Sequence, residues 1–336
     1  MKFTSFKKLA AGVAIAALTA GGALAETSLH LNSQPNEAGY PMWLAEHLGY
    51  FSDNGLDVET TYFPNGGAAL ASGVSGDWQA GWTGGPPAIS GWDKFQLISF
   101  GTMQKESRNI KLIMRKDAMA GMTPGEALAK VRIGTVPNST WSQVLFACAD
   151  HFNVAHGDLE IVPLDPPVTR QSLRNGEVGA GTTAASADFD IVMDKDTYEV
   201  ICDGEIAGTS VIAPWIITSR FWKDDPDAAA KFVEAAYRAN EYIRANPDKA
   251  VDLSLQYYQD TGIEGTKETA AYAFSLRDFQ TLDEAIADMK SGATIDTLIA
   301  GAEVLVAAGA YDEVPDLKSM QPVALEVLMA AKALRK

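Results

Sequence analysis

Twice in this chain a strand-like run stops at a cluster of hydroxyl and glycine residues, and a helix-like run begins. The first stop is Gln79-Ala80-Gly81-Trp82-Thr83-Gly84-Gly85-Pro86-Pro87. The second is Val131-Arg132-Ile133-Gly134-Thr135-Val136-Pro137-Asn138-Ser139-Thr140, which leads into a run from Trp141 to Phe152. The N–H groups that open a helix have no acceptor inside it, and the helix dipole adds positive potential there. Each stop is therefore a ready seat for an anion or polar head group. One such seat in each half of the chain points to two lobes closing on a small solute.

The alternation of strand and helix extends well beyond these turns. Periodicity predicts a strand at 28–32, a helix at 42–51 ended near Gly49, a strand at 56–63, and a helix opened by Asn65-Gly66-Gly67. A linker-like stretch at 116–125 follows, and the cycle restarts. Strands are predicted at 131–136, 159–164, 178–183 and 199–202, and helices at 140–152, 168–175 and 186–193. This is the spacing of βαβ units, which predicts an α/β fold with mainly parallel sheet. From Asp225 onward the pattern is almost wholly helical.

The first residues bear on compartment. Lys2, Lys7 and Lys8 precede an apolar stretch at 9–24, and Ala23-Leu24-Ala25 offers a small-x-small cleavage site before Glu26. That pattern predicts a signal peptide at 1–25, cleaved after Ala25. As a membrane anchor the stretch is too short and too rich in Gly and Ala. The remaining residues, about 311 of the 336, suffice for two domains of ordinary size. The net charge of −16 at pH 7 becomes about −19 once the leader lysines are removed. So acidic a protein is a poor partner for nucleic acid or anionic lipid. An anionic solute would have to be held by local dipoles and an occasional Arg, because the overall field repels it.

Catalytic patterns are thin. His30, His47, His151 and His156 are the four histidines, and none has the spacing of a helical metal pair. Neither a G-x-S-x-G turn nor a phosphate-binding loop occurs. The expectation is a protein that is not an enzyme and needs no metal or cofactor. Asn138-Ser139-Thr140 matches a glycosylation acceptor, although a helix start explains it better. Cys148 and Cys202 are the two cysteines. Both positions suit a small buried hydrophobe, and two buried thiols are expected, with one disulfide as the alternative in an oxidising compartment.

Binding features are stronger. Thr83-Gly84-Gly85 lets backbone approach a ligand closely, and Thr83 can offer a hydroxyl. Ser139 and Thr140 are either an ordinary helix cap or the matching seat in the second half. Both turns fall at the carboxyl ends of strands, the edge at which open α/β sheets bind ligands. Arg170 is a counter-charge for an anion or a surface helix residue. Trp82, Trp141 and Trp215 supply flat apolar walls or a cation–π face, or else pack in a core. Glu106 could hold an ammonium group, or be an ordinary surface charge.

Taken in order, several segments resemble the periplasmic solute-binding proteins of the nitrate/sulfonate/taurine class of ABC importers. They are Leu44-Ala45-Glu46-His47-Leu48-Gly49-Tyr50-Phe51, Gly55-Leu56-Asp57-Val58, Ser75-Gly76-Asp77-Trp78-Gln79-Ala80-Gly81, Asp165-Pro166-Pro167, Leu173-Arg174-Asn175-Gly176-Glu177-Val178 and Ser219-Arg220-Phe221-Trp222. The resemblance implies a type II periplasmic binding protein fold: two α/β lobes joined by two crossover strands, with the ligand shut between them. Lobe I would be 26–115 plus 216–336 and lobe II 116–215, with crossovers near 114–118 and 211–216. Ligand positions carried over are Gln34, Asn65, Gly66, Thr83 to Gly85, Ser139, Thr140, the Thr182-Thr183 turn and Trp215. Tyr40 lies in an inserted-looking segment that alters one wall.

Gly179 and Gln79 depart from the family pattern, where an acidic residue is usual at the first. The ligand class therefore stays open between a small sulfonate such as taurine and a heteroaromatic stacked on tryptophan. The implied role is capture of a small molecule in the periplasm, as a monomer, for an inner-membrane permease and ATPase. A sensory protein presenting its ligand to a membrane receptor is the alternative.

Overall fold

The computed structural model describes residues 26–335. The expected leader at 1–25 and its cleavage site lie outside the described residues. The strands are β1 (Thr27–Ser33), β2 (Leu56–Tyr62), β3 (Ala80–Trp82), β4 (Leu97–Lys105), β5 (Ile110–Arg115), β6 (Arg132–Thr135), β7 (Glu160–Pro163), β8 (Ala180–Ala184), β9 (Tyr198–Asp203), β10 (Ile212–Thr218) and β11 (Asp278–Phe279). They form a six-stranded sheet in the order β11-β4-β10-β3-β1-β2 and a five-stranded sheet in the order β7-β6-β8-β5-β9. Helices pack on both, giving the two-lobed α/β fold expected of a periplasmic binding protein.

The sheets are mixed, where the sequence spacing predicted mainly parallel pairing. β1 pairs in parallel with β2 and β3, and β6 with β7 and β8. β10 runs antiparallel between β3 and β4, and β5 antiparallel between β8 and β9. The exceptions are the strands that carry the chain from one sheet to the other. β4 and β5 are joined by 106–109 alone and belong to different sheets, as β9 and β10 do.

Those strands also move the expected boundaries. Residues 110–115, expected in the first lobe, are β5 of the second sheet, and 212–215, expected in the second lobe, open β10 of the first. The chain thus passes between sheets at 106–109 and 204–211. The stretch at 116–125 that reads as a linker holds two short helices, Lys116–Met119 and Pro124–Leu128. The actual crossing is the polar run Glu106-Ser107-Arg108-Asn109 between two buried strands.

Local sequence explains where the important helices begin. Asn65 caps Gly66–Ser75 by accepting from the Ala68 N–H, and Gly76 ends it with φ of 82°. Ser139 accepts from the Trp141 N–H and opens Thr140–His151, whose Val144, Leu145, Cys148 and Ala149 are buried against the second sheet. Pro86 and Pro166 occupy first turns that need no N–H at those positions. The first sheet's core includes Leu31, Phe100, Phe232 and Tyr237.

Cys148 and Cys202 are joined by a disulfide, with Cα atoms 6.0 Å apart. This corrects the expectation of two buried thiols. Both residues are fully buried, as that reading required, but the helix Thr140–His151 lies directly on β9 and brings the sulfurs together. Closing a loop of 54 residues restricts the unfolded chain by about 4 kcal/mol on the loop-entropy relation.

Candidate functional site

Between the two sheets lies a cavity of about 420 Å³. Gln34, Asn65, Gly66, Trp82 and Gly84 line it from the first lobe; Ser139, Thr140, Trp141 and Arg170 line it from the second. Glu106 and Asn109 contribute from the first crossing segment. Four helices present their opening turns to this space: Gly66–Ser75, Gly85–Phe95, Thr140–His151 and Pro166–Asn175. The N–H groups of Gly66, Gly85 and Thr140 have no intrahelical acceptor. Pro166 and Pro167 leave the fourth helix fewer donors, but its dipole points the same way.

The lobes touch at these openings. A Cβ added to Gly84 would sit 3.0 Å from Thr140 Oγ1, so the glycine is what lets the second jaw close against the first. A Cβ on Gly66 would come within 2.7 Å of Thr83 Oγ1 and 2.6 Å of Pro87 Cγ. Glycine there keeps the helix opening tight against its neighbour.

Two guanidinium groups on the cavity wall are each paired with a buried carboxylate. The Arg170 guanidinium donates through Nε to Asp188, whose carboxylate is buried. Burial pushes the Asp188 carboxyl up to about 6, only partly offset by Arg170, and Glu37 and Asp190 push in the same upward direction. Glu106 is buried, contrary to its reading as a surface charge, and accepts from Gln104 Nε2 at 2.7 Å and Arg277 Nε at 3.3 Å. It thus enters the cavity with a cation already in place.

Six expected residues are not on the cavity wall. Thr83 is fully buried with its hydroxyl turned toward Gly66. Gly85 lies just behind Gly84. Thr182 is buried in β8, its hydroxyl 2.6 Å from that of Thr135, and Thr183 is buried beside it. Tyr40 donates to the Ala250 carbonyl inside an aromatic cluster with Trp43, Tyr257 and Phe274. Trp215 packs edge-on against Phe232 in the first core. Thr182, Thr183 and Trp215 lie within β8 and β10, whereas Tyr40, Thr83 and Gly85 lie at helix openings or the turn before one; all six are buried.

Among the wall residues that sequence reasoning does not single out are Asn109, Glu264 and Arg277, and Glu37 is included only as part of the segment expected to alter one wall. Glu37 follows the turn at Gln34, and Asn36 caps the short helix Glu37–Gly39 that carries it. Arg277 comes from the helical C-terminal part, where nothing local distinguishes it from a surface arginine.

A family model described as NMT1/THI5 like matches residues 36–250. The chain belongs to the NMT1/THI5-like family. The taurine-binding periplasmic protein of Escherichia coli (strain K12) is 26% identical to this NMT1/THI5-like chain over 204 residues, which cover 59% of this chain and 61% of that protein. The match thus spans less than two thirds of that relative's length.

Among solved structures, the alkanesulfonate-binding protein SsuA from Xanthomonas axonopodis pv. citri bound to MOPS superposes with a TM-score of 0.63 at 13% identity, covering 81% of this chain and 94% of that one. The periplasmic nitrate-binding protein NrtA from Synechocystis PCC 6803 gives a TM-score of 0.68 at 11% identity, covering 92% and 89%. At such identities these likenesses establish the periplasmic binding protein fold. The relatives are binding proteins, not enzymes.

Proposed function

We propose that this chain is the periplasmic solute-binding component of an ABC importer. It captures a small organic solute between its lobes, a sulfonate such as taurine being the favoured guest, and hands it to an inner-membrane permease and ATPase. The observation that carries the reading is the convergence of four helix openings on one interlobe cavity. Such openings favour an oxyanion, and they do so without a strong net positive field. The taurine-binding relative and the MOPS-bound structural neighbour support the sulfonate class.

The working cycle is hinge closure about 106–109 and 204–211. The guest contacts both jaws at once only in the closed form, so binding shifts the population toward closure. The chain acts as a monomer, exported by its leader. A second reading, a heteroaromatic guest, is favoured by Trp82 and Trp141, which both line the cavity. A thermal-shift screen separates the two. Stabilisation by taurine and alkanesulfonates is expected; stabilisation by pyrimidines alone would replace the first reading with the second.

A further inference from the structure

Near the inner wall of the cavity, three buried carboxylates stand beside two guanidinium groups. Asp188 takes Arg170 and Glu106 takes Arg277. Glu37 is left over. Its residue is only 9% exposed, it lines the cavity, and it has no ion-pair or hydrogen-bond partner among the described residues. Its position is fixed rather than loose. Asn36 accepts from the Ala38 N–H and so holds the short turn Glu37–Gly39. The Tyr257 hydroxyl donates to the Asn36 carbonyl at 2.6 Å. Any Cβ on Gly39 would meet Tyr257 Oη at 2.6 Å, so the turn has no room to shift.

A carboxylate on the cavity wall with no cation paired to it can accept a charge-assisted hydrogen bond from a guest. A guest that brings its own cation would supply that partner, and Trp82 and Trp141, which line the cavity from opposite lobes, add aromatic surface that favours a cation. An inorganic anion, or an alkanesulfonate with no amine, would instead add negative charge beside Glu37.

We propose that Glu37 is the residue that selects a guest bearing an ammonium or other cationic nitrogen, so that the solute is zwitterionic rather than a simple anion. The inference rests on the reading of this cavity as the solute site. Helix openings take the acidic head of the guest, and Glu37 takes its nitrogen.

Calorimetric titration of the mature chain with two matched pairs tests this. Each pair exchanges an ammonium for a hydroxyl: taurine against isethionate, and β-alanine against 3-hydroxypropionate. The ammonium member should bind roughly tenfold or more tighter, as expected for a charge-assisted hydrogen bond. Glu37→Gln should erase the preference and Glu37→Asp should keep part of it, while the wild-type comparison stands without either variant.

Equal affinity within both pairs, or no binding by any member, overturns the assignment; so does a preference that survives Glu37→Gln. Equal binding of taurine and isethionate would leave the sulfonate reading standing while Glu37 loses its role. Preference for β-alanine over its partner, with no sulfonate bound, would do the reverse.

Discussion

At Arg170 the guanidinium facing the cavity meets a buried carboxylate, so its charge is available to a guest only in part. The Asp188 carboxyl is raised from 3.8 to about 6, chiefly by burial. A carboxyl that holds its proton more tightly folded than unfolded favours folding at low pH, and that contribution is lost as pH rises from about 4 to about 6. Protonation also removes the partner that neutralises Arg170. Sulfonate affinity should therefore rise several-fold as pH falls from about 7.5 to about 5.5. Asp188→Asn should bind tightly across that range, with a flat profile in calorimetry.

Thr83 gives a contrasting expectation. Its hydroxyl faces Gly66 rather than the cavity, so Thr83→Ala should leave affinity within about twofold while altering stability modestly. At this scale the sequence revealed backbone seats better than side chains. Gln34, Asn65, Gly66, Gly84, Ser139 and Thr140 reach the wall because each sits at a turn or helix opening, which a sequence marks locally. Arg277 reaches it through tertiary packing, and its partner Glu106 lies far away along the chain.

Among the elements, the helix Thr140–His151 bears on both stability and binding. Its Ser139 cap satisfies a first-turn N–H, and Ser139→Ala should cost about 1 kcal/mol of stability. Because the same turn lines the cavity, that variant should also weaken taurine binding, unlike a cap lost elsewhere. The disulfide pins the far end of this helix to β9. Its reduction should destabilise the chain by up to about 4 kcal/mol in a urea melt, and leave affinity for taurine nearly unchanged below the transition.

Helices and strands were legible because apolar periodicity is local. The crossings were not, because β4 and β5 read as two buried strands parted by a short polar run. Only their hydrogen-bonded neighbours tell that they belong to different sheets. The disulfide was hidden for the same reason: two buried cysteines look alike until a helix is laid on a strand.

Over the whole molecule, capture depends on two lobes meeting face to face. Besides Thr140 over Gly84, the seam includes Gly301 of the helix Ala293–Ala307, where an added Cβ would lie 3.0 Å from Gln143 Nε2. Gly301→Leu should hold the jaws apart, weakening taurine binding roughly tenfold if closure costs about 1.4 kcal/mol more. The thermal stability of the ligand-free chain should change little. The measurement that tests the central claim most directly is a crystal structure of the mature chain with taurine. The account predicts one guest in the interlobe cavity, its sulfonate oxygens within hydrogen-bond distance of the N–H groups of Gly66, Gly85 or Thr140. A guest outside the cavity, or a sulfonate turned away from every helix opening, would contradict it.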